Sequence, residues 1–178
     1  MRSLNLARII GAPVRFFVLA SILFGGAGNR FVVAARAGAL PGPSEGKSPS
    51  PSQIPAGALI NPQDLARILS SPPSERPLII YVGFRFPYTQ AHIPGSEYFG
   101  PASNQADLQE LLKRLNELSR DSFIVIYCGC CPWSHCPNIR PAYEALHNQG
   151  FRKLKVLYLA ENLGTDWVNK GYPVAKGE

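Results

Sequence analysis

Two short, nearly all-apolar runs, PLIIYVGF (Pro77 to Phe84) and SFIVIY (Ser122 to Tyr127), constrain this chain more than any other feature. Runs of this kind are strands whose two faces are both covered, so helices must lie on either side of them. The segments between supply those helices. Asn61 followed by Pro62 is an N-cap with proline at the first helical position, and QDLARILS then sets Leu65, Ile68 and Leu69 on one face. In NQADLQELLKRLNELS (Asn104 to Ser119) the leucines recur at helical spacing opposite a charged face. PNIRPAYEALHNQG (Pro137 to Gly150) has Ala142, Ala145 and Leu146 on one side and a glycine stop. KLKVLYLA from Lys153 is a third strand, and NLGTDWVNKG (Asn162 to Gly171) a last short helix. The alternation predicts an α/β domain with a central, mostly parallel sheet flanked by helices.

The first part of the chain reads differently. Arg2, Arg8 and Arg15 precede the apolar run FFVLASILFGGAG (Phe16 to Gly28), and small residues follow in VVAARAGA (Val32 to Ala39). That order is the order of a secretory signal. The alternative is an anchor that stays in the membrane through residues 16–28, although the run is shorter than the roughly 20 residues a spanning helix needs. Residues 1–37 are therefore expected to be a signal peptide or N-terminal anchor, 38–58 a flexible linker rich in Pro, Ser and Gly, and 59–178 the domain. The expected setting is outside the cytoplasm, in the periplasm, or at a membrane surface if the leader is retained. Five of the 18 Lys and Arg lie in the leader, leaving 13 against 12 acidic residues beyond it. The basic character thus belongs to the leader and makes no case for nucleic acid.

All four cysteines, Cys128, Cys130, Cys131 and Cys136, fall in VIYCGCCPWSHCPNIRP (Val125 to Pro141), between the end of a strand and the start of a helix. Backbone N–H groups and the helix dipole converge at such a point, where a thiolate is stabilised. Cys128 is the thiol expected to be ionised there. The backbone N–H groups of Gly129, Cys130, Cys131, Trp133, Ser134 and His135 are its expected anion cradle. Four thiols this crowded, interleaved with Gly129, Pro132 and His135, are too polar for core filling. Zinc prefers pairs of ligands separated in the chain, and copper(I) accepts fewer soft ligands, so no metal is expected. Disulfides here would close loops of a few residues and constrain the unfolded chain little. A pair that opens and closes fits better, since Cys128 to Cys131 is itself a CxxC.

Four further segments occur in order: AHIPGS (Ala91 to Ser96), IVIYC (Ile124 to Cys128), LHNQGF (Leu146 to Phe151) and DWVNKGYPV (Asp166 to Val174). Together they resemble the rhodanese-like family, with its GHIPGA segment, a catalytic cysteine closing a strand, a helix ending near GF, and a terminal W-x-x-x-G-x-P-V. The long loop YCGCCPxxxCPN resembles that of a subset of the family. The resemblance implies a single rhodanese-like domain in which Cys128 takes up sulfane sulfur as a persulfide and passes it to cyanide or a thiol. It implies no cofactor beyond that covalent intermediate. Its partners would be a small sulfur donor and the acceptor, with a membrane involved only through an uncleaved leader.

This chain departs from the family at Tyr81 and Gly83, where an Asp and an Arg would stand, and at Asn162-Leu163, where two glycines would. Its active loop is longer, and Arg140 lies twelve residues beyond Cys128. On this reading Cys128 is the nucleophile, with Cys130, Cys131, His135, Cys136 and Arg140 in support and Cys131 or Cys136 as the resolving thiol. His92 shapes the turn before Pro94, Trp167 is core, and His147 lies on the surface. The other readings are a thiol-disulfide oxidoreductase using Cys128 with Cys131 or Cys136, and a metal- or sulfur-binding module without turnover.

Overall fold

The computed structural model describes residues 53–177; the expected leader and most of the expected linker lie outside the described residues. Five strands form one sheet in the order β1-β5-β4-β2-β3. They are β1 (Leu59–Ile60), β2 (Leu78–Tyr81), β3 (Glu97–Tyr98), β4 (Phe123–Tyr127) and β5 (Lys153–Leu157). Every pairing is parallel. The helices are α1 (Pro62–Leu69), α2 (Arg85–Gln90), α3 (Gln105–Leu115), α4 (Ile139–Asn148) and α5 (Leu163–Asp166). The α/β class expected from the apolar runs is the one observed. No described helix is long and apolar enough to cross a membrane.

The strand alternation divides the core in two. Ile80, Ile124, Ile126 and Val156 point to one face, where Leu111 and Leu115 of α3 and Ala142 and Leu146 of α4 cover them. Ile79, Tyr81, Val125 and Tyr127 point to the other, against Leu65 of α1, Tyr88 of α2, Leu163 of α5 and Trp167. A two-residue period with both faces apolar is what makes such strands read as unbroken hydrophobic runs. Asn61 accepts from the Asp64 N–H at the start of α1, as the Asn-Pro signal predicts. Gly150, at φ 87°, ends α4 in the left-handed region where other residues are strained.

Three elements had no signal in the sequence reading. β1 and β3 are two residues long, too short to show a period. Helix α2 has six residues, with Pro87 in its first turn, where an N–H needs no intrahelical partner. At the other end of the domain, residues expected to belong to the linker are seated on it: Ile54 and Ala58 are buried in the α3/α4 core.

Tyr127 ties the rim together from the end of β4. Its hydroxyl accepts from the Ile93 N–H at 2.9 Å and lies 3.1 Å from Ser96 Oγ. Both partners belong to the AHIPGS segment. His92 stacks on Tyr88 at 4.1 Å and forms a bridge with Ala175, so it shapes this turn as expected. Trp167 is fully buried, also as expected, with its indole N–H donating to Pro173 O. Tyr127→Phe would strand the buried Ile93 N–H and should lower unfolding free energy by about 1–3 kcal/mol. Urea denaturation checks this, and an unchanged midpoint would mean that water reaches the amide.

Candidate functional site

Parallel pairing brings the ends of β2 and β4 to the same edge of the sheet, with Tyr81 opposite Tyr127. Cys128 follows one residue later on the α3/α4 face and is 5% exposed. The other three thiols surround it, all reduced. Cys130 Sγ is 3.2 Å from Cys128 Sγ and 3.7 Å from Cys131 Sγ. The three sulfur atoms lie within 4.8 Å of one another, close enough to share a soft metal ion. Cys136 is buried in the same core as Cys128, where the loop meets α4. All four expected cysteines therefore converge, and Cys128 is at their centre.

The rest of the expected set does not converge. Residues Trp133–His135 form a 3-10 turn that leans on the end of β5. The Trp133 N–H donates to Ala160 O at 3.0 Å, its ring meets Tyr158 edge-on at 5.1 Å, and Gly129 O accepts from Leu163 N–H at 3.1 Å. His135 N–H donates to Pro132 O at 3.0 Å. The cradle expected from residues 129–135 is therefore corrected at Trp133 and His135: a loop packed against the sheet satisfies its N–H groups with carbonyls. The imidazole of His135 is exposed and bonds Ser134 Oγ at 2.8 Å. Arg140 is paired with Glu144 at 2.6 Å along α4, so its guanidinium is turned to a carboxylate. His147 is exposed and stacks on Tyr143.

The donors to sulfur come instead from residues the sequence reading passed over, Asn138 above all. Asn61, Asn104 and Asn162 each cap their helix by accepting an N–H from its first turn. Asn138 occupies the same position on α4 and makes no such bond. It is fully buried, its Oδ1 accepts from Ser103 N–H at 3.1 Å, and its Nδ2 donates to Cys128 Sγ at 3.7 Å. The N–H groups of Asn138 and Ile139, at the positive end of the helix, bond Cys136. That of Phe84 bonds Cys130.

These bonds and burial act in opposite directions on neighbouring sulfurs. Hydrogen bonding with the neighbouring thiols, Cys130 first, and burial both push the Cys128 pKa up. Cys130, half-buried, receives the Cys128 hydrogen bond and the Phe84 N–H and falls to about 6. Cys136 receives the Cys128 bond and the helix N–H groups and falls to about 7. The directions of these shifts favour an anion on Cys130 or Cys136 over one on Cys128.

Gly83 explains how β2 meets this cluster. A Cβ there would lie 2.8 Å from Tyr81 Oη and 2.9 Å from Cys128 Sγ, so a side chain would part them. A cavity of ≈160 Å³, lined by Tyr81, Pro87, Gln90, Gly129 and Leu163 among others, adjoins the loop. Larger cavities, ≈320 Å³ beside Asn61 and Tyr172 and ≈350 Å³ beside Arg76 and Pro173, contain no cysteine. The one signal in the sequence for Tyr81 and Gly83 was their departure from the family pattern.

No family model and no curated protein matches the sequence. Solved structures do match by shape. A Bacillus halodurans protein is 19% identical, with TM-score 0.51 over 66% of this chain and 76% of its own. A full-length Lactobacillus plantarum protein is 16% identical, with TM-score 0.50 over 67% and 88%. The rhodanese-like domain of an Anabaena sp. protein is 20% identical, with TM-score 0.48 over 67% and 79%. The parallel α/β sheet flanked by helices is the architecture that the sequence motifs imply, and the Bacillus halodurans and Lactobacillus plantarum proteins share it.

Two outcomes follow from this geometry. With limiting iodoacetamide, the native chain should be alkylated first at Cys130, half-maximally near pH 6 and more slowly as pH falls through that value. Peptide mapping reads the order, and a first label on Cys128 at neutral pH contradicts the charge placement. Gly83→Ala should destabilise the fold by about 1–3 kcal/mol through overpacking, measured by denaturant unfolding; a neutral result would mean that the Tyr81 ring yields freely.

Proposed function

We propose that this chain is a sulfurtransferase that carries sulfane sulfur as a persulfide on Cys128, with Cys130 as the base beside it. What carries the reading is the 3.2 Å contact between a buried thiol and a neighbour ionised near neutral pH. The Cys130 thiolate takes the Cys128 proton as Cys128 Sγ attacks the outer sulfur of a small donor such as thiosulfate or a polysulfide, so no free thiolate forms on the less acidic thiol. An Sγ–S bond forms as the donor's S–S bond breaks, and the leaving sulfite or shortened polysulfide departs with the electron pair. A thiolate or cyanide then attacks the outer sulfur, and the Sγ–S electrons return to Cys128. The protein is neither oxidised nor reduced over the cycle. The cavity beside Gly129 supports entry of a small anion from that side. The basic, apolar and small-residue order of the first 37 residues supports an exported, periplasmic setting.

One observation favours a second reading, thiol-disulfide exchange. The 3.2 Å separation needs to close only to about 2.05 Å for a disulfide between Cys128 and Cys130. The two thiols would then give two electrons and two protons to a substrate disulfide, which leaves as two thiols. On distance, Cys130 displaces Cys131 and Cys136 as the resolving partner.

Intact-mass analysis of the reduced full chain after thiosulfate or polysulfide treatment separates the two. Sulfur transfer predicts a gain of one sulfur atom mapped to Cys128, absent in Cys128→Ser and slowed on the order of 10²-fold in Cys130→Ser, as expected when a general base is removed. A loss of two hydrogens with no sulfur gained selects exchange. Sulfur still bound by Cys128→Ser sinks the assignment.

A further inference from the structure

Tyr81, Tyr88, Tyr98 and Tyr127 pack ring against ring at the rim, with Tyr81 in contact with the other three. Three of the four hydroxyls have partners: Tyr88 donates to Ser96 O, Tyr98 to Gly100 O, and Tyr127 bonds Ser96 and Ile93. Tyr81 has none, although the residue is 0% exposed. An orphaned hydroxyl at such a site carries a desolvation penalty of about 1–3 kcal/mol. Its surroundings supply a reason. The hydroxyl and Cys128 Sγ lie 2.8 and 2.9 Å from the same point on Gly83, yet make no bond with each other. The gap between them is narrower than those two distances combined. A sulfur atom bonded to Sγ projects about 2.05 Å further, which is enough to bridge it.

We infer that Tyr81 is the hydrogen-bond donor that receives the outer, anionic sulfur of a Cys128 persulfide. The inference rests on the sulfurtransferase reading and assigns it a residue that touches the carried atom. Burial and the negative charge on the nearby thiols raise the Tyr81 pKa, so the phenol keeps its proton throughout the working pH range and is always a donor. Phe84 N–H and Asn138 Nδ2 hold the protein's own sulfurs; Tyr81 is left for the added one.

Tyr81→Phe in the full chain tests this. The fold should be as stable as wild type or more so, because the orphan is removed, while the persulfide becomes more easily protonated and shorter-lived. The expected readings are an unfolding midpoint that does not fall, a persulfide lifetime after donor removal shortened several-fold, and a pH profile of persulfide alkylation displaced to higher pH. A persulfide in Tyr81→Phe with wild-type lifetime and pH profile overturns the inference and leaves sulfur transfer standing. If wild type gains no sulfur on any thiol, the underlying reading fails and Tyr81 with it. A fall in stability equal to the loss of persulfide would assign the hydroxyl a structural bond and also overturn it.

Discussion

The pairing of β2 with β4 is the constraint on which the site depends. It sets Tyr81 level with Tyr127, and so brings Gly83 beside Cys128 at one edge of the sheet. A slip of one residue would exchange the faces of every side chain on the strand. Such a slip is barred by apolar packing on both sides: Ile80, Ile124 and Ile126 under α3 and α4, Ile79 and Val125 under α1 and α5. The thiol cluster inherits its precision from that packing. Its loop has little regular structure of its own and is held by backbone bonds to the end of β5 and the start of α5.

Within the cluster, hydrogen bonding and burial act in opposite directions on neighbouring sulfurs. The thiol at the centre is held toward its neutral form, while those nearer to main-chain N–H groups are shifted toward the anion. Strand-to-helix loops are usually credited with stabilising the residue that ends the strand. Here α4 begins eleven residues after Cys128, at Ile139, and its first N–H groups reach Cys136 instead. The length of the loop moves the anion along the chain. Asn138 compensates by giving up its capping role and sending its side chain back to Cys128.

Much of this fold was legible in the sequence, and the reason is physical. The middle strands are apolar on both faces, and α1, α3 and α4 carry leucine, isoleucine or alanine at helical spacing, so period and composition agree. β1, β3 and α2 were not legible because two to six residues are too few for a period to appear. Cys128 was legible as the centre of the site because every other cysteine lies within eight residues of it. Its protonation was not, since neither the direction of Cys130 Sγ nor the partner of the Trp133 N–H is a local property.

The chain by itself determined the class of the fold, the gathering of its thiols at a strand end, and the helices that cover them. These depend on spacing and composition, which act over a few turns of chain. Which sulfur carries charge, which asparagine abandons its helix, and which tyrosine is left with an unbonded hydroxyl were decided by the tertiary structure alone. Those outcomes turn on the direction of side chains and on close approaches that spacing along the chain does not set, where differences of an ångström determine whether a donor has an acceptor.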